Sequence, residues 1–111
     1  MHKNKDGIYI YNDDAYKGIR KACEIASKTL DMIGNYVDSG VTTEELDKTC
    51  HDFILSHNSV PATLGYRGYP KSCCISLNHV VCHGIPSNKK LKNGDILNID
   101  VTCILDDWYG D

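Results

Sequence analysis

From Asp13 to about Val37, the apolar residues Ile19, Ala22, Cys23, Ala26, Leu30, Ile33 and Val37 recur at steps of three and four. That spacing collects them on one stripe of a helix and predicts a single amphipathic element. Asn12 or Asp13 can cap its start, and the Asp38-Ser39-Gly40 turn can end it. A second helix opens at Thr42-Thr43-Glu44-Glu45, where a threonine oxygen and a glutamate three residues later can each satisfy a backbone donor left over at the helix start. It runs through Leu46, Cys50, Phe53 and Ile54 and fades near His57-Asn58.

The second half of the chain changes period. Leu64 to Lys71 is a loop whose glycines and proline break regular structure. Cys74-Ile75-Ser76-Leu77 and Val80-Val81-Cys82 then have strand composition, and Gly84-Ile85-Pro86 interrupts them. Asp95 to Leu105 reads as one strand, Asp106-Asp107 as a turn, and Trp108 onward as the returning strand. Two helices followed by a set of strands predict an α+β fold, with two helices packed on a mainly antiparallel sheet.

The last hairpin raises a chemical question. With a two-residue loop at Asp106-Asp107, Leu105 faces Trp108 and Thr102 faces Asp111. Side chains alternate with period two, so Asp100 and Thr102 share a face and Asp100 becomes a diagonal neighbour of Asp111, roughly 7–8 Å away at the backbone. Two carboxylates converging on a half-buried face would repel unless a cation sat between them. A plain alternative is that Asp100 is a polar residue on a solvent-facing side and Asp111 a turn residue. Spacing alone leaves both open.

Composition narrows the functional classes. The 111 residues carry a net charge of −3, which argues against a nucleic-acid footprint. The basic run Lys89-Lys90-Leu91-Lys92, followed by Asn93-Gly94-Asp95, reads as a solvated turn. No stretch is long and apolar enough for a membrane span or a signal peptide, so a cytoplasmic location is the expectation. Six cysteines lie within the periodic elements and form no CxxC pair, which favours reduced thiols over a disulfide scaffold or a structural zinc site. His79 and His83 stand four apart like helical zinc ligands, but the residues between them favour a strand and no HExxH pattern is present. His79 is given no catalytic role, and His2, His51 and His57 are read as surface or helix-end residues.

Two stretches, GYRGYPKSCCISLNHVVCHGIP and LKNGDILNIDVTCILDDWYGD, closely resemble the type I methionine aminopeptidases. The likeness runs from the first helix to Asp111 and is vague before Asp14. It implies that residues 1–111 are a partial catalytic domain, the N-terminal half of a pita-bread fold, with 1–13 a poorly defined extension. It further implies that Asp100 and Asp111 ligate two divalent ions drawn from manganese, iron, cobalt or zinc, with Asp111 bridging them. Such ions would activate a water and polarise the scissile carbonyl.

His83 matches the family's substrate-contacting histidine, placed to stabilise charge on the tetrahedral intermediate. Tyr66, Tyr69 and Cys74 match positions lining the pocket for the methionine side chain, where aromatic faces and a thiol suit a thioether. Thr63 stands where family members often carry cysteine. Asn78 and Val80 match positions whose backbone carbonyls can hold a monovalent cation. Without the resemblance, His83 would be read as a strand-end histidine and the tyrosines as loop anchors.

The implied substrates are nascent polypeptides beginning with methionine, with no nucleic-acid or membrane partner. Ribosome association is compatible with that role, and the full-length enzyme is expected to be a monomer. The family's remaining histidine and two glutamate ligands have no counterpart here, so the chain is expected to be an incomplete fragment, inactive alone. Two other readings stay open: a non-catalytic half-fold serving as an interaction module or complemented by another chain, and a proline-specific peptidase of the same fold.

Overall fold

Helix α1 spans Asp13–Gly34, capped by Asn12, whose side-chain oxygen accepts from the Ala15 amide at 2.9 Å. It ends three residues before Val37, at Gly34-Asn35, two residues that lower helix propensity together. Its buried stripe is Ala15, Ala22, Ile25, Ala26, Thr29 and Ile33, whereas Leu30, assigned to that stripe by periodicity, is 44% exposed. Counting apolar types passed over Thr29, which is fully buried because its hydroxyl donates to the Ile25 carbonyl at 2.7 Å.

Helix α2 spans Thr43–Ser56 and starts with the expected capping box: Thr42 Oγ1 accepts from Glu45 N and Glu45 Oε2 accepts from Thr42 N. Leu46, Cys50 and Ile54 from this helix meet Ile25 and Ile33 of α1 in one core, closed by Ile75, Leu77 and Val101.

A computed structural model describes residues 2–111 of the chain. Its strands are β1 (His2–Lys3), β2 (Tyr9–Ile10), β3 (Val60–Pro61), β4 (Cys74–Leu77), β5 (Leu97–Asp100), β6 (Cys103–Leu105) and β7 (Trp108–Gly110). Every pairing among the described residues is antiparallel, as expected, but the strands form three small sheets: β1-β2, β3-β6-β7 and β4-β5.

Three sequence expectations change. The single strand from Asp95 to Leu105 is split at Val101-Thr102, because its first part pairs with β4 and its second with β3 and β7. Val80-Val81-Cys82 is not a strand; it is exposed, Val81 at 91%. Lys89 to Lys92 is more than a solvated turn, since Leu91 is buried and exchanges two backbone bonds with Gly40 and Val41.

Alternation nevertheless survives the change of sheet. Val101 and Cys103 face the core while Asp100 and Thr102 face outward, so the expected common face of 100 and 102 is present. All six cysteines are free thiols. No helix among the described residues is long and apolar enough to cross a membrane.

Candidate functional site

The β6-β7 hairpin fixes one end of the site. Leu105 pairs with Trp108 and Cys103 with Gly110 across Asp106-Asp107, both of which have positive φ (49° and 68°), the geometry of a two-residue turn whose twist matches the strands. Gly110 lies so close to α1 that an added Cβ would stand 2.2 Å from the Ala22 carbonyl carbon. Only glycine permits that approach, and it presses the hairpin flat on the helix. Asp111 follows directly and accepts from Thr102 Oγ1 at 2.5 Å. The expected register therefore holds.

Asp100 ends β5 opposite Cys74, the first residue of β4. Both line an open cavity of about 730 Å³. Thr63, Tyr66, Tyr69 and His83 line it too, so six of the residues singled out from sequence are gathered around one space. Asp111 does not line the cavity itself but is hydrogen-bonded to Thr102, which does. Asn78 and Val80 lie elsewhere, past the far end of β4: Asn78 has φ 50° and its side chain joins Asp95 to the Ile96 amide, while the Val80 amide donates to the Leu77 carbonyl. Both aspartates are exposed. The expectation of half-buried, mutually repelling carboxylates is not met, because their face opens onto the cavity instead of being covered.

His83 occupies a strained position, with φ 56° on a non-glycine residue. The strain is imposed by its neighbour. The Gly84 carbonyl accepts from Ile75 N at 2.9 Å, the Gly84 amide donates to Ser76 Oγ at 3.0 Å, and an added Cβ there would stand 2.2 Å from the Ile75 oxygen. The chain is stitched flush to β4, and His83 is turned out at the cavity rim. Tyr69 reinforces this: its hydroxyl lies 2.9 Å from the Cys73 carbonyl and 3.1 Å from the Gly84 carbonyl, donating into the space between them. Burial, with the adjacent Cys74 thiol second, pushes the Tyr69 phenol well above its ordinary pKa.

Sequence reasoning missed a polar stripe on α2. Glu44, Asp47 and His51 recur at helical spacing and all grip the segment that leads into β4. Glu44 pairs with Lys71 Nζ at 2.9 Å, and His51 Nδ1 lies 2.7 Å from Ser72 Oγ, so His51 is not simply the surface residue expected. Asp47, 7% exposed, accepts from the amides of Ser72 (2.9 Å) and Cys73 (3.0 Å) and from the Cys73 thiol (3.3 Å). A neighbouring Cys50 thiol, together with burial, raises the Cys73 pKa far above its ordinary value. A polar residue interrupting the buried face of α2 was the signal available in the sequence. Arg67 and Tyr109 also line the cavity and were not anticipated.

The donor chemistry at Asp100 and Asp111 is that of hard oxygen ligands and fits a divalent cation. Their number does not close a site: no group of three or more His, Cys, Asp or Glu side chains arranged for a metal occurs among the described residues. The residues thus fit one part of a metal centre.

The cavity, walled by aromatic groups and a thiol, lies beside two outward carboxylates, and comparison with known proteins gives the class to which this arrangement belongs. The chain belongs to metallopeptidase family M24, whose profile matches residues 17–111.

Within that family it is similar to methionine aminopeptidases. It is 57% identical over 104 residues to the one from Rickettsia prowazekii (strain Madrid E), covering 94% of this chain and 40% of that protein. It is 45% identical to the human mitochondrial methionine aminopeptidase 1D, covering 96% of this chain and 32% of the relative. The crystal structure of the Rickettsia prowazekii enzyme superimposes with a TM-score of 0.93 over 94% of this chain and 42% of that one. A prolidase from Pyrococcus furiosus, 23% identical with a TM-score of 0.72, shares the fold alone. The α+β pita-bread expectation is therefore met. The chain spans about 40% of the length of the first of these relatives.

Proposed function

We propose that this chain supplies the methionine pocket and two metal-ligating carboxylates of a cytoplasmic methionine aminopeptidase, which hydrolyses the initiator methionine from nascent polypeptides. The observation that carries this reading is the gathering of Thr63, Tyr66, Tyr69, Cys74, His83 and Asp100 around one cavity, with Asp111 tied to its wall through Thr102.

In this reading Tyr66, Tyr69 and Cys74 receive the thioether side chain of the substrate. Aromatic faces and a soft sulfur gain dispersion contacts with it. Thr63 bounds the same space and, being smaller and more polar than the pocket aromatics, tunes its shape. His83, held outward by its strained backbone, donates a ring N–H to the oxygen that gains charge when the scissile carbonyl is attacked. Asp100 and Asp111 would hold two divalent ions from among manganese, iron, cobalt and zinc, which when bound supply Lewis acidity and an activated water. Ligands beyond these two carboxylates must come from outside the described residues. The Asn78 and Val80 carbonyls, remote from the cavity, would hold a monovalent cation in a supporting role.

Manganese line broadening in nuclear magnetic resonance spectra of the full 111-residue chain tests the metal half of this reading. The expected result is broadening centred on Asp100, Thr102 and Asp111, lost in Asp100→Asn and Asp111→Asn. Methionine amide should shift the Tyr66 and Cys74 resonances, and alanine amide should not. Broadening that spares both aspartates, or shifts indifferent to the thioether, would overturn the assignment.

A further inference from the structure

Three independent anchors converge on one stretch of backbone at the cavity. Asp47 holds the Cys73 amide from the α2 side. The Tyr69 hydroxyl holds the carbonyl of the same residue from the loop side and shares its proton with the Gly84 carbonyl. Gly84 is in turn fixed to β4 through the Ile75 amide and the Ser76 hydroxyl, immediately after the strained His83. The bonds run without a gap from a buried carboxylate on α2 to the turn that presents the histidine.

A buried carboxylate receiving two consecutive backbone amides is costly to leave without them, so its position is strongly coupled to theirs. The Tyr69 ring lines the cavity while its hydroxyl points away into the backbone. That group serves the protein rather than a ligand.

We propose that Asp47 and the Tyr69 hydroxyl are positioning residues that clamp the backbone of Cys73, one at its amide and one at its carbonyl, and so hold the His83-Gly84 turn at the cavity rim. The use of that turn rests on the function proposed above, in which His83 faces substrate. The clamp itself does not.

The test uses the full chain with Tyr69→Phe, Asp47→Asn, Asp47→Ala and the double variant Tyr69→Phe/Asp47→Asn. Amide hydrogen exchange at Ile75 and Gly84 is compared with exchange in α1, and the His83 ring resonances are followed in parallel. Tyr69→Phe is expected to speed exchange at Ile75 and Gly84 by about tenfold relative to α1 and to move the His83 ring signals, the scale of one lost hydrogen bond. Asp47→Ala should do the same more strongly. Asp47→Asn keeps an oxygen for the two amides and should recover most of the native exchange and ring signals. The double variant should change less than the product of the two singles, since both act on the backbone of one residue.

Unchanged exchange and ring signals in Tyr69→Phe would overturn the proposal, and so would acceleration spread equally over α1. Should Asp47→Ala fail to fold, Tyr69→Phe and Asp47→Asn decide the matter by themselves. Loss of metal or methionine binding leaves these readouts untouched, so the clamp and the proposed function fall separately.

Discussion

The two aspartate-bearing sides of the cavity are built by different means. On the hairpin side, Asp111 is placed by close apolar packing: a tight turn sets the register, and Gly110 lets the strand lie directly on α1. On the β4 side, Cys74, Tyr69 and His83 are placed by hydrogen bonds between side chains and distant backbone, from Asp47, Tyr69 and Ser76. The hairpin side depends on shape and should fail when volume is added. The β4 side depends on polar satisfaction and should fail when a bond partner is removed or charged.

The largest expected effect lies on the hairpin side. Gly110→Ala puts a Cβ against the backbone of Ala22, which cannot move aside as a flexible side chain could. Overpacking of this kind should lower stability by about 3 kcal/mol, read by urea or thermal unfolding. A variant as stable as the parent would show that the hairpin does not depend on its close approach to α1.

Next in size is Asp47→Ala, which leaves two buried amides and a thiol without their acceptor. A loss of about 2 kcal/mol is expected from equilibrium unfolding, and about half of that for Asp47→Asn. Equal losses in the two variants would mean that the carboxylate's volume, not its bonding, matters, and would erase the contrast between the two sides.

The polar side also carries a pH signature. Tyr69 and Cys73 both have folded pKa values raised above their ordinary ones, with burial first for Tyr69 and the Cys50 thiol first for Cys73. Above the ordinary values, the unfolded chain releases protons that the folded chain keeps, so the unfolded state binds fewer protons and stability falls with rising pH. The stabilisation of the neutral forms is fully present below about pH 9 and declines as pH climbs past the ordinary thiol and phenol ranges. Tyr69→Phe removes one titrating group and should make unfolding curves between about pH 10 and 11 less steep in their pH dependence. An unchanged slope would place the phenol outside the buried network.

These two modes of construction also explain what could be read from the sequence. Both helices, the capping box at Thr42 and Glu45, and the hairpin register were legible because each is a local pattern whose period or turn length is written in adjacent residues. The residues that meet at the cavity were legible through long motifs that resemble a known family. The break at Val101-Thr102 was not legible, since it reflects which strands lie alongside, and β3 and β4 come from far earlier in the chain. Asp47 escaped for the same reason. Its partners lie 25 and 26 residues away, so its place on the apolar face of α2 could be read locally while the backbone it binds could not.

The smallest effect returns to the turn on which the hairpin side depends. Asp106 and Asp107 both sit at positive φ, which aspartate adopts more readily than most residues but at a cost that glycine does not bear. Asp107→Gly removes that strain, at some cost in unfolded-state entropy, and should leave a net gain of about 0.5 kcal/mol. Because the turn length is unchanged, Thr102 and Asp111 should stay opposed, and their hydrogen bond should persist in the spectrum of the variant. Inserting one glycine between Gly110 and Asp111 instead would leave the turn intact and move Asp111 one position along the strand, to the other face, away from Thr102 and the cavity. If manganese broadening at Asp100 and Asp111 survived that insertion as fully as it survives Asp107→Gly, the place of Asp111 in the hairpin register would not be what brings the two carboxylates together.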